Sequence, residues 1–106
     1  MIVALTGATG FVGQAVLDAA ARQGIAIRAL TRRPQEDRDG VIWIAGSLDD
    51  PASLEKLCEG ADSVVHVAGL TNTPDPSEFE QANVVGTRNL LGAARKAGVS
   101  RFVFTS

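Results

Sequence analysis

The 106-residue sequence predicts an α/β fold: a doubly wound parallel sheet of five strands, in the order 3-2-1-4-5, flanked by three helices. Two observations carry this expectation. Five short apolar runs alternate with helical patterns. The first of those runs passes straight into Thr6-Gly7-Ala8-Thr9-Gly10-Phe11-Val12-Gly13. Ile2 to Leu5 has the continuous apolar character of a strand buried on both faces, as parallel sheets require.

The remaining elements follow in order. Val12, Ala15, Val16, Ala19 and Ala20 recur at helical spacing and predict one buried stripe, with Gly24 as the stop. Ile25 to Leu30 forms the second strand. Thr31 to Gly40 carries Pro34, Glu36, Asp37, Arg38 and Asp39. It is too short and too polar for a helical crossover with its turns, so a loop is predicted. One sheet face then carries only the first helix. Parallel sheets do not tolerate a bare face, which predicts either a longer natural chain or self-association. Val41 to Ala45 is the third strand, with Trp43 a packing residue. The second helix begins with Asp50 as N-cap and Pro51 at its first position, and ends at Gly60. Ser63 to Ala68 is the fourth strand. Ser77-Glu78-Phe79-Glu80 reads as a capping box opening a third helix that runs to Ala97, with Gly98 beyond it. Arg101 to Phe104 is the fifth strand. Residues 1–106 form one domain.

Composition narrows the function. Ten Lys and Arg against twelve Asp and Glu leave a net charge of −2 without a basic run, which argues against nucleic acid as a partner. The apolar runs are too short for a membrane span, and the N-terminus enters a strand without a charged leader. The single cysteine, Cys58, excludes an internal disulfide and is read as a packing residue. A cytoplasmic protein is expected. With no tyrosine and one histidine, His66, a tyrosine acid or a histidine pair cannot come from this chain. No cluster has metal-ligand spacing. Asp49 and Asp50 read as helix-cap residues, and His66, alone in an apolar strand, as a hydrogen-bonded core residue.

The glycines suggest the ligand. Gly7 permits the turn off the strand, Gly10 lets backbone approach a diphosphate, and Gly13 lets the helix pack close to the sheet. Unpaired N–H groups at the helix start would face the phosphates. A glycine turn that only joins strand to helix is the plainer alternative. The position after a first strand and before an amphipathic helix favours a dinucleotide.

Four segments in this order resemble the short-chain dehydrogenase/reductases, in their extended and atypical groups of the NAD-dependent epimerase/dehydratase kind. Thr6 to Gly13 matches their TGxxGxxG. Val64-Val65-His66-Val67-Ala68-Gly69 is similar to the strand-four motif beside the ribose and nicotinamide. Asn83-Val84-Val85-Gly86-Thr87 is similar to the helix motif whose asparagine helps order the active site, and Arg101 to Ser106 to strand five. The resemblance implies a Rossmann domain that binds its cofactor through Gly7, Thr9, Gly10, Phe11, Val12, Gly13, Val67, Ala68, Gly69 and Asn83. An ordinary polar helix residue is the alternative for Asn83. In the family a serine or threonine after strand five and a downstream Tyr-x-x-x-Lys transfer the proton. Thr105 and Ser106 fall just short of that position. No catalytic residue is therefore assigned, and the chain is expected to be the cofactor half of an enzyme, inactive alone, whose small-molecule substrate belongs to a longer parent. A non-catalytic NADP(H)-sensing module and a loop kept only for packing are the other readings.

The resemblance also bears on the cofactor. NAD-preferring relatives place a carboxylate at the end of strand two, for the ribose 2′-hydroxyl. Here that position is Thr31, followed by Arg32 and Arg33. A guanidinium suits a 2′-phosphate, so NADP is expected, with Arg32 the main contact and Thr31 assisting; NAD is the alternative. The plainer reading is an exposed basic pair before a turn. In Gly46-Ser47-Leu48-Asp49, Ser47 stands where the family usually has an aspartate on the adenine amino group, and Leu48 is expected on the adenine face.

Overall fold

The computed structural model describes the backbone of residues 1–67 and 76–105, and the side chains of residues 1–67 and 84–105. The elements are β1 (Ile2–Thr6), α1 (Phe11–Gln23), β2 (Ala26–Thr31), β3 (Val41–Ala45), α2 (Pro51–Cys58), β4 (Ser63–Val67), α3 (Pro76–Lys96) and β5 (Arg101–Thr105). The strands form one parallel sheet in the order β3-β2-β1-β4-β5, the predicted topology. The chain winds outward from β1 in both directions. The winding reverses between β1 and β4, and open parallel sheets take their ligands outside the carboxyl ends of the strands at such a reversal.

Alternate residues of β1 to β4 feed two separate cores, and β5 adds Phe102 to one of them. On one face Val3, Leu5, Ile27, Ala29 and Val67 meet Leu17 and Ala20 of α1, the only helix there among the described residues. On the other face Leu54 and Leu57 of α2 and Leu90 and Ala94 of α3 close over Ala4, Leu30 and Val64. Each of these leucines stabilises the fold by about 2 kcal/mol through burial. The loop between β2 and β3 holds no helix, as predicted. Arg38 of that loop pairs with Asp18 of α1 at 2.7 Å, and Trp43 Nε1 donates to the Glu36 carbonyl at 3.1 Å.

Three local expectations need correction. The buried stripe of α1 is Gly13, Leu17 and Ala20 with Val16 half-buried, whereas Val12 and Ala15 face solvent. The helix is turned by about one residue so that its largest apolar side chain, Leu17, and its glycine both meet the sheet. In α2, Asp50 takes the N-cap position with extended backbone, but its side chain makes no capping bond; Ser53 Oγ instead donates to the Asp50 carbonyl at 2.8 Å. In α3, Pro76 is the first helical residue, so Ser77 stands inside the helix rather than capping it. Proline suits that first position because its φ is preset and it lacks the N–H that would go unpaired. The side chains of the expected capping box, Ser77 and Glu80, lie outside the described residues.

One helix end is closed by a residue that local pattern does not single out. The Arg28 guanidinium, from β2, donates to the carbonyls of Lys56 and Glu59 at the end of α2. These acceptors are left open at a helix C-terminus, where positive charge is also favourable.

The glycines differ sharply in what they permit. A Cβ on Gly13 would overlap the Gly7 carbonyl oxygen and lie 2.6 Å from Ala8 Cα, while one on Gly92 would meet nothing within 4 Å. Gly13→Ala is therefore expected to cost more than about 2 kcal/mol. Gly92→Ala, on an exposed helical position, is expected to stabilise by about 0.5–1 kcal/mol. Urea unfolding midpoints of the two variants check both signs.

Candidate functional site

Parallel pairing brings the ends of β1, β2, β3 and β4 to one edge of the sheet, and most of the residues singled out in the sequence lie there. Gly7 leaves β1 with φ +75°, and Gly10 N–H closes the turn on the Gly7 carbonyl at 3.2 Å. A Cβ on Gly7 would stand 2.7 Å from the Val67 carbonyl oxygen, so β4 and the loop touch backbone to backbone. Gly10 is the N-cap of α1 and offers no capping side chain; Gln14 N–H, on the Gly10 carbonyl at 2.9 Å, is the first to bond back into the helix. The N–H groups of Phe11, Val12 and Gly13 are thereby left for a ligand. An anion set there is held by these donors and by the positive end of the helix dipole. Thr9 and Val12 are exposed, and Phe11 is 94% exposed at the mouth of the loop.

At the end of β2, Thr31 is buried and bound up in its own turn. Its Oγ1 donates to the Arg33 carbonyl at 2.6 Å and accepts from Arg33 N–H at 3.3 Å. Arg32 is exposed beside it. At the end of β3, Gly46 packs so closely on Ser53 that a Cβ would overlap it, and Ser47 N–H and carbonyl both bond Ser53 Oγ. Leu48 is half-buried against the α2–α3 core, beside Gly86. Asn89 of α3 donates to the Leu48 carbonyl at 2.9 Å and ties this loop down. Val67 ends the described part of β4, its side chain buried in the α1 core. Ala68, Gly69 and the side chain of Asn83 lie outside the described residues.

Beneath the glycine loop is a polar bridge. His66 is 1% exposed. Its Nδ1 is 2.5 Å from Thr6 Oγ1 and its Nε2 is 3.0 Å from Thr87 Oγ1, while Phe104 packs edge-on at 5.3 Å. The core role expected for this histidine is thus met with both ring nitrogens partnered. Burial pushes the imidazole below its ordinary pKa of 6.5 and keeps it neutral. Burial likewise pushes the Cys58 thiol up, against a smaller opposing effect of the Arg28 charge, which leaves it protonated and inert. The described residues contain no group of side chains able to hold a metal ion, and no described helix is long and apolar enough to cross a membrane.

The glycine turn lies at the winding reversal, and the N–H groups of Phe11, Val12 and Gly13 at the start of α1 are the kind of donors that suit an anion. The sequence matches the NAD dependent epimerase/dehydratase family over residues 3–106. The chain belongs to this family. Among solved structures, this epimerase/dehydratase-family chain is similar to a short-chain dehydrogenase/reductase superfamily protein from Agrobacterium tumefaciens with bound NAD. The two are 37% identical with a TM-score of 0.81, over 98% of this chain and 32% of that one. It is also similar to the uronate dehydrogenase of the same organism, at 26% identity and a TM-score of 0.82, over 99% of this chain and 40% of that one. Among curated relatives it is 38% identical to a ceramide reductase of Caulobacter vibrioides, over 99% of this chain and 34% of the relative. A 2-alkyl-3-oxoalkanoate reductase of Stenotrophomonas maltophilia is 36% identical, over 100% of this chain and 33% of the relative. The chain thus spans about a third of the length of the curated relatives it matches.

Sequence reasoning missed Thr6 and Thr87 as the partners of His66, and missed Asn89. Only a period-2 argument could have found the first: in a parallel pair, Thr6 and His66 stand opposite each other and point to the same face.

The neutral imidazole makes stability depend on pH. Between the native pKa and 6.5 the unfolded chain takes a proton that the native state refuses, so stability rises with pH in that window. The His66 contribution is complete above 6.5 and is lost as pH falls through the native pKa. Thermal unfolding at a series of pH values is expected to show Tm falling as pH drops below 6.5, with that component absent in His66→Phe.

Proposed function

We propose that this chain binds NADP(H) in preference to NAD(H), and that it forms the cofactor-binding part of an NAD(P)-dependent reductase, epimerase or dehydratase acting on a carbonyl or alcohol substrate. The observation that carries the preference is Arg32, exposed directly after Thr31, which ends β2 where a ribose-binding carboxylate would otherwise stand. Its guanidinium offers a planar set of donors to a 2′-phosphate. The Thr31 proton is committed to the Arg33 carbonyl, which leaves Arg32 as the principal contact. Gly7, Gly10 and Gly13 with the first N–H groups of α1 hold the diphosphate, and Ser47 and Leu48 border the adenine. When bound, the nicotinamide supplies the hydride chemistry. The reductase reading is supported by two similar relatives, the ceramide reductase and the 2-alkyl-3-oxoalkanoate reductase. With no tyrosine in the sequence, the proton transfer of the whole protein is assigned to residues outside this chain.

NAD as the preferred cofactor is the second reading, favoured by the bound NAD in the similar Agrobacterium protein. Calorimetric titration of the chain with NADP(H) and with NAD(H) decides between them. Tighter NADP(H) binding is expected, and Arg32→Asp should lower the NADP-to-NAD affinity ratio by at least about tenfold. An unchanged ratio in that variant removes Arg32 from the site.

Self-association through the β5 edge belongs to the same proposal. Val103 and Phe104 are exposed there, on a strand that pairs with β4 on one side and whose other edge has no partner strand among the described residues. Light scattering at high protein concentration is expected to give a mass above that of one chain; a monomeric mass rejects it.

A further inference from the structure

The bridge under the glycine loop is more than core filling. Three polar groups from β1, β4 and α3 meet in a region that apolar side chains could have filled, and each would be costly to bury unpaired. Thr6 is the last residue of β1, and Gly7 begins the loop directly after it. His66 stands opposite Thr6 in the strand register, and the next residue, Val67, is the one whose carbonyl touches Gly7. The imidazole therefore sits one residue behind the point where loop and β4 meet. Its other nitrogen reaches across to Thr87, on a helix that makes no part of the glycine loop.

A neutral imidazole donates from one nitrogen and accepts at the other. The two threonine hydroxyls can each serve in either sense, so the bridge is a single directional chain of hydrogen bonds. Removing one hydroxyl leaves a buried ring nitrogen unpaired and frees the ring to turn. Phe104 packs edge-on against the ring at 5.3 Å and Phe102 lies tilted to it at 6.4 Å.

We infer that His66 is a positioning residue: through Thr6 and Thr87 it couples the glycine loop to α3 and holds the loop in its dinucleotide-binding geometry. This rests on the cofactor reading above for its consequence, but the coupling itself can be measured without ligand.

The experiment uses Thr87→Val, which removes one hydroxyl at nearly constant shape, and Thr87→Ser, which keeps it. His66→Phe removes the centre of the bridge. Two readouts are taken on the folded chain: amide hydrogen exchange at Gly7 to Gly13 without ligand, and calorimetric binding of NADP(H) and NAD(H). Thr87→Val is expected to speed exchange in the glycine loop and weaken dinucleotide binding by about tenfold, the effect of one buried hydrogen bond. Thr87→Ser should restore both. Combined with His66→Phe, Thr87→Val should add nothing further, since both act on one bridge. A Thr87→Val variant with a lower Tm but unchanged loop exchange and unchanged affinity overturns the inference, and makes the bridge a packing device. If the wild-type chain binds neither dinucleotide, the cofactor reading fails and the loop-positioning role falls with it. Loop exchange then still decides whether the coupling of loop to α3 exists.

Discussion

The contact between the Gly7 carbonyl and the bare Cα of Gly13 sets how near α1 can come to the sheet. A side chain at position 13 would push the helix outward, away from Val3, Leu5 and Ile27. The loop between those glycines would then lose its shape, because its turn is closed by a bond to the same Gly7 carbonyl. Core packing and ligand geometry thus rest on one close approach. The bare Gly13 lets the helix dock, and Gly10 at the N-cap leaves its first N–H groups without a capping side chain.

The two faces of the sheet are built on different terms. α2 and α3 bring several leucines to one core and are tied to the sheet by polar bonds as well, with Arg28 closing the end of α2 and Asn89 holding the Leu48 carbonyl. The α1 face depends on a single helix and on the β2–β3 loop, whose Arg38 reaches back to Asp18. An exposed ion pair of this kind adds little, about 0–1 kcal/mol. Most of the stability on that side therefore comes from burial of Leu17, Ile27 and their neighbours. Toward β5 the same sheet carries exposed Val103.

Buried polarity is confined to places where it fixes geometry. Ser53 sits under the end of β3 and bonds Ser47 and Asp50, which shapes the loop next to the expected adenine position. Thr31 uses its hydroxyl to shape the turn that presents Arg32. His66 joins two strands and a helix. Among the described residues no buried side-chain nitrogen or oxygen lacks a partner, which is the condition under which polar groups specify a core rather than weaken it.

The sequence by itself determined the fold class, the strand order and the glycine turn after the first strand. Those features are written in short-range signals: apolar runs of strand length, helical spacing, glycines at set intervals after the first strand. It also showed Thr31 followed by Arg32, with no carboxylate, at the end of the second strand, and the absence of tyrosine. The tertiary structure decided the rest. Which face of α1 is buried depends on how near Gly13 comes to Gly7, and the spacing of Val12, Ala15 and Val16 alone pointed one residue away. That Thr6 and His66 share a hydrogen bond depends on a pairing 60 residues apart in the chain, and Thr87 joins them only because α3 folds over that face. Arg28 reads as an ordinary strand residue until α2 ends above it. Periodicity within one element is visible in a few residues, but contacts between elements exist only once the sheet has set their register and the helices their rotation.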